Sequence, residues 1–276
     1  MIWRFKKRRF QEHLSNISDQ LEQIPDEKLA NGNAVIGITL HPKYLSRSAF
    51  PSLLLNELGL RLLGSRSTKI KPAKGKGSDE TDGALSTFLF VSAKRKTIQS
   101  LGDKISQITE SSDILEDFLK LENATLPGRN EKMAGEFSSA PEPVEVVLHF
   151  DSIKDMDWED SFVEFASRVN VDLGISSSYQ SRGLLFIPAT GSKSSVEQLA
   201  DFSFIRMVRP MPKIRMIEQP ELVRAMNFNG SATIPNQDSL ADSYGVAVFD
   251  GGLPDNHPFG RWVNYIEPPS GAKIGP

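Results

Sequence analysis

VEVVLHF at Val144–Phe150 and WEDSFVEFASRV at Trp158–Val169 set the reading of the second half of the chain. The first is a short, nearly continuous apolar run bounded by turn residues, as a buried strand requires. The second repeats its apolar positions at helical spacing, with Trp158, Phe162, Phe165 and Val169 on one face. Val171–Ser176 and Leu184–Pro188 then read as two strands joined across Ser177–Gly183. Ser194–Asp201 reads as a short helix with Val196 and Leu199 inward, and Phe202–Val208 as a closing strand. The element order is β-α-β-β-α-β.

Working outward toward the N-terminus, a similar order recurs. After the turn-like Asn31–Asn33 comes AVIGITLHP, a strand. AFPSLLLNEL at Ala49–Leu58 is a helix closed by Gly59, and Leu60–Ile70 is a strand. Lys71–Gly83, rich in Lys, Gly and Ser, is expected to be an exposed loop. Ala84–Ala93 is a further strand, and Thr97–Ile108 a helix. Asp113–Leu121 fits either a helix or the strand that completes the unit. Both orders match the ferredoxin-like split motif, and the repeat rests on element order because the two stretches match weakly in residues.

The N-terminal segment places Phe10, Leu14, Ile17, Leu21 and Ile24 on one seam, with Trp3 a heptad earlier, on a helix that ends at Pro25. It is expected to pack on its own domain, and a partner-binding or coiled-coil helix is the alternative. Its basic residues Arg4, Lys6, Lys7, Arg8 and Arg9 read as a solvated face, since no aromatic or Gly-rich motif accompanies them.

The expected fold class is α+β. The expected organisation is a helix at 1–30, a ferredoxin-like unit at 31–125, a linker at 126–143 and a second ferredoxin-like unit at 144–212. Residues 213–276 then form a connection that leads into another domain. The linker is assigned from Pro, Gly, Ser and charge without periodicity. Lys213–Ile217 suits one more strand, and Gln219–Gln237 an extended connection.

The 276 residues carry a net charge of -3 and no cysteine, with 39% hydrophobic and 24% charged residues. This is ordinary for a globular protein and gives no reason to expect nucleic-acid or membrane binding. The lack of cysteine excludes disulfides, thiolate metal sites and a cysteine nucleophile. The basic N-terminus lacks the apolar stretch of a signal peptide, and the chain is expected to be soluble and cytoplasmic.

The residues most informative about chemistry are Tyr244–Pro258, YGVAVFDGGLPDNHP. Val246–Phe249 form a continuous apolar run, as in a buried parallel strand. The strand ends on Asp250, where open α/β sheets place their active groups, and Gly251 and Gly252 permit a sharp turn after it. This stretch resembles the aspartate motif of the subtilase family of serine peptidases, in which a strand gives Asp, a small residue, Gly and, a few residues later, His-Pro. Here those positions are Asp250, Gly251, Gly252, His257 and Pro258, and the match covers about fifteen residues. Gly251 departs from the Ser or Thr usual in the family, as in a divergent subfamily. The layout, with HPKYLSRSAFP and LGLRLLGSR across residues 41–66, also looks like bacterial subtilases encoded beside an AAA-type ATPase.

The resemblance implies that residues 213–276 carry the first strand of a truncated subtilisin-like α/β domain. It also implies that Asp250 is the catalytic acid that orients a histidine and stabilises its imidazolium. Gly251, Gly252, His257 and Pro258 support the motif, His257 belonging to the turn that leaves the strand. The family's His-Gly and Gly-Thr-Ser motifs do not occur in these 276 residues, so the chain alone is expected to be inactive. Ferredoxin-like units commonly precede the aspartate strand in subtilases as pro-regions, and residues 144–208 stand in that place. Implied partners are a polypeptide substrate and an AAA-type ATPase, with no cofactor and no metal. From the residues alone, Asp-Gly-Gly is also an ordinary turn. A standalone binding or peptidase-inhibitory module is therefore the alternative reading.

His13, His41 and His149 are scattered, and no metal or catalytic role is expected for them. The acidic cluster Asp151, Asp155, Asp157, Glu159 and Asp160 lacks calcium-loop spacing and suits a helix N-terminus.

Overall fold

The computed structural model describes residues 2–45, 50–71, 83–150 and 158–211. Its long first helix, α1 (Ile2–Glu22), buries Phe10, Leu14, Ile17 and Leu21, the expected seam, to 4% exposure or less. The seam packs within the chain's own core, so the helix belongs to the first module.

β1 (Asn33–Leu40) follows a two-residue turn in which Asn31 and Gly32 both take positive φ, the geometry that suits a tight hairpin. α2 (Ser52–Leu58) ends on Gly59 at φ +70. There the Leu60 N–H reaches the Leu55 carbonyl at 2.8 Å and the Gly59 N–H the Asn56 carbonyl at 3.0 Å, which closes the helix as a Schellman motif. β2 (Arg61–Ile70) and β3 (Ala84–Lys94) follow, then α3 (Arg95–Gln99) and α4 (Leu101–Ser106). The region that fitted helix or strand supplies both. α5 (Leu115–Lys120) runs directly into β4 (Leu121–Thr125), which completes the sheet.

The sheet order is β2-β3-β1-β4 with every neighbouring pair antiparallel. This is the ferredoxin-like arrangement. β1 is buried along nearly its whole length because both of its faces are covered. Ala34, Ile36, Ile38 and Leu40 meet the helices, while Val35 joins the cluster that continues into the second module.

The basic run of α1 corrects an expectation in part: Arg4 and Arg8 are exposed as expected, but the other three are engaged. Lys7 Nζ donates to the carbonyls of Ser106 (2.5 Å) and Ile108 (2.8 Å), at the end of α4. Lys6 Nζ donates to the Leu119 carbonyl (2.5 Å) in the last turn of α5, and Arg9 grips Glu122 at 2.5 Å. Lys6 and Lys7 thus satisfy orphan carbonyls at helix C-termini, while Arg9 pairs with a residue of β4. Only helix ends brought from about a hundred residues away reveal this.

Residues 126–143 also differ from a bare linker. They contain α6 (Arg129–Lys132), and Met133 bridges Val208 in parallel while the Ala134 N–H bonds the Val208 carbonyl at 3.0 Å. The anchors are too sparse to create a periodic pattern.

The second module runs β5 (Glu142–His149), α7 (Trp158–Arg168), β6 (Asp172–Leu173), β7 (Tyr179–Ser181), β8 (Leu184–Gly191), α8 (Lys193–Leu199) and β9 (Ile205–Pro210). Its sheet order is β6-β8-β5-β9, again antiparallel, with β7 also paired to β8. The fold is α+β: two ferredoxin-like modules, the first covered by a long N-terminal helix. Among the described residues no helix is long and apolar enough to cross a membrane.

Candidate functional site

Asp250, Gly251, Gly252, His257 and Pro258 lie outside the described residues, as do Lys213–Ile217, Gln219–Gln237 and most of the Lys71–Gly83 loop. The chemistry that the described residues do concentrate lies at the seam between the two modules.

The seam begins with sheet patterning. Phe88 and Phe90 on β3 have alternate positions facing away from the first module's helices, and both join the second module's core cluster. Their rings meet edge-on at 4.8 Å. His149, the last residue of β5, brings its ring to 4.8 Å from Phe90. Arg206 on β9 lays its guanidinium 3.7 Å from the Phe90 centroid, and Arg66 on β2 stands 4.7 Å from Phe88 and 5.6 Å from Phe90. One pair of aromatic rings therefore carries two guanidiniums.

Lys132 of α6 adds a third cation. It is buried, and its Nζ donates to the Phe202 carbonyl at 3.0 Å. Burial lowers its pKa to about 8, against the opposing pull of Asp201 and Glu131. Burial also lowers Arg206 to about 10, with help from neighbouring Arg66. His149 is 2% exposed and its Nδ1 has no partner among the described residues. Burial, reinforced by Arg206 and Lys132, drives its pKa down to about 3. Arg66 has Glu131 at 3.2 Å. Arg66, Phe90, Glu131, Lys132, His149 and Arg206 line one pocket of about 10 Å³.

A larger cleft of about 250 Å³ adjoins it, sharing Val35, Pro127, Lys132 and Ser203. Asp201 organises its rim, accepting from Lys28 at 2.9 Å and from Arg129 at 3.1 and 2.7 Å. Ser203 stitches the modules together: its hydroxyl donates to the Asn33 carbonyl at 3.0 Å and its N–H to the Lys28 carbonyl at 2.8 Å.

Ser203 and His149 do not form a nucleophile–base pair here. The Ser203 proton is committed to a backbone carbonyl, and an imidazole with a pKa near 3 is a poor base at neutral pH. Among the described residues no group of three or more His, Asp or Glu is placed to hold a metal ion. His13 and His41 lie apart from the seam pocket, and burial lowers both. Of the acidic cluster, Glu159 and Asp160 occupy the first turn of α7 and the other three lie outside the described residues.

The sequence analysis did not single out Arg66, Lys132 or Arg206, and it gave His149 no role. The available signal was a histidine closing the apolar run at residues 146–149.

No family model matches the chain, and no curated protein matches it significantly. Two solved structures are similar to it. The acetolactate synthase small subunit from Thermotoga maritima is 13% identical, with 64% of this chain and 91% of that chain covered at a TM-score of 0.20. An unknown protein from Galdieria sulphuraria is 15% identical, with 58% and 79% covered, also at 0.20. Such low scores carry no activity over to this chain.

Proposed function

We propose that the chain is the N-terminal part of a subtilisin-like serine endopeptidase, in which ferredoxin-like modules act as a pro-region ahead of the strand bearing Asp250. The observation that supports this reading is the order of parts: two ferredoxin-like modules precede the apolar run that ends in Asp250-Gly-Gly and continues to His257-Pro258. In this role Asp250 orients a histidine supplied further along the polypeptide and stabilises the imidazolium formed when that histidine takes the serine proton. Gly251 and Gly252 turn the chain away, so that the carboxylate stays at the sheet edge. A single carboxylate supplies neither nucleophile, base nor oxyanion hole, so the 276 residues alone are inactive. A polypeptide substrate and an AAA-type ATPase partner come with the resemblance.

The test is to express the polypeptide through its downstream reading frame and to compare peptide hydrolysis by the natural chain and Asp250→Asn. The expected result is a downstream His and Ser motif, with a loss of kcat on the order of 10⁴ in the variant. A frame without those motifs, or a variant with undiminished kcat, overturns the reading. A second reading, a standalone binding or inhibitory module, is favoured by the cationic seam pocket, which offers a binding site without Asp250. An absent His and Ser motif selects it.

A further inference from the structure

We propose that the seam between the two ferredoxin-like modules is a carboxylate-binding site, with Arg66 and Arg206 as its cationic fork and Lys132 and His149 at its floor.

The first argument is charge. Around one pocket stand three cationic side chains, Arg66, Lys132 and Arg206, against one carboxylate, Glu131. Glu131 lies at the rim and engages Arg66, whereas Arg206 makes no ion pair among the described residues and rests on the Phe90 face. Two guanidiniums on one pair of rings repel each other, and a shared anion relieves that repulsion.

The second argument is the buried orphan. His149 is 98% buried, and its Nδ1 meets no partner among the described residues. A buried polar atom of this kind destabilises the fold unless something satisfies it. Lys132 Nζ likewise has three protons and, among the described residues, one acceptor, the Phe202 carbonyl. The Lys132 ammonium favours an acceptor-rich anion, and the neutral His149 ring donates to the same anion in its Nδ1–H tautomer.

Size limits what enters. The pocket of about 10 Å³ admits one water-sized atom, and one oxygen of a planar carboxylate fits. The adjoining cleft of about 250 Å³ takes the remainder of the molecule. A free small carboxylic acid and the C-terminus of a polypeptide both present this group.

The experiment is calorimetric titration of the 276-residue chain at neutral pH and constant ionic strength. The probes are sodium acetate, N-acetyl-dialanine with a free C-terminal carboxylate, and the same dipeptide as its amide. Saturable binding of the free-carboxylate probes but not of the amide is expected. Dipeptide binding tighter than acetate assigns a polypeptide C-terminus, and equal binding assigns a small acid. Arg206→Gln is expected to weaken binding about tenfold or more, with Arg206→Lys, which keeps the charge and loses the fork, in between. Arg168→Gln, on the exposed face of α7, leaves binding unchanged. No saturable binding by either carboxylate, equal binding of the amide, or undiminished binding in both Arg206→Gln and Arg66→Gln overturns the proposal.

Discussion

The Arg206 guanidinium lies 3.7 Å from the centroid of the Phe90 ring, so the last strand of the second module rests directly on a central strand of the first. Phe90 is 4% exposed and also meets Phe88 and His149, which makes it the hub of the seam. Phe90→Leu keeps an apolar side chain and removes the ring face. We expect a loss of about 2 kcal/mol from thinner packing and the missing cation–π contact, read from the urea unfolding midpoint. No change in the midpoint would mean that the seam contributes little to stability.

His149 makes stability depend on pH. Its folded pKa of about 3 lies below the ordinary value of 6.5. The unfolded chain therefore takes up a proton between these values while the folded chain does not. This contribution is fully present above pH 6.5 and is lost as pH falls toward 3. Arg206 and Lys132 face the imidazole and oppose its charging. From pH 7 to pH 5 the loss amounts to about 2 kcal/mol. His149→Leu is expected to flatten that slope in urea titrations at the two pH values, and an unchanged slope would assign the pH dependence elsewhere.

Gly37 leaves room for Phe88. A Cβ at Gly37 would lie 1.9 Å from Cζ of that ring, so Gly37→Ala must displace the aromatic from the seam. A cost of about 2 kcal/mol is expected, seen as a lowered Tm. Tm at the natural value would show that Phe88 moves freely.

Asp117 of α5 joins two helices of the first module. Its Oδ2 accepts from the N–H groups of Leu53 (3.0 Å) and Leu54 (3.2 Å) at the start of α2, and its Oδ1 holds Lys120 at 2.6 Å. Asp117→Ala uncaps α2 and strands a buried ammonium, an expected loss of about 3 kcal/mol. Adding Lys120→Met is expected to recover part of it, and purely additive losses would show that the pair is not coupled.

Both modules were legible because strands and helices alternate at periods of 2 and 3.6 residues: the VEVVLHF run, the Phe162–Phe165–Val169 face and Gly59 each announced an element that is present. The seam was not legible. Arg66, Lys132, His149 and Arg206 come from β2, α6, β5 and β9. They meet only because the face of the first sheet that carries Phe88 and Phe90 packs against the second module, and no local pattern records which two faces will pack. Lys6 and Lys7 misled for the same reason, their acceptors being carbonyls of distant helix ends. Asp250 was read from a contiguous motif, and its geometry lies outside the described residues.

Whether Asp250 belongs to a serine peptidase's proton-transfer triad is tested most directly by labelling with a fluorophosphonate probe. The account predicts that the 276-residue chain takes up no label. In the polypeptide extended downstream, one serine beyond residue 276 is labelled rapidly, and Asp250→Asn slows that labelling strongly. Label on a serine within residues 1–276, or equal labelling rates with and without the Asp250 carboxylate, would contradict it.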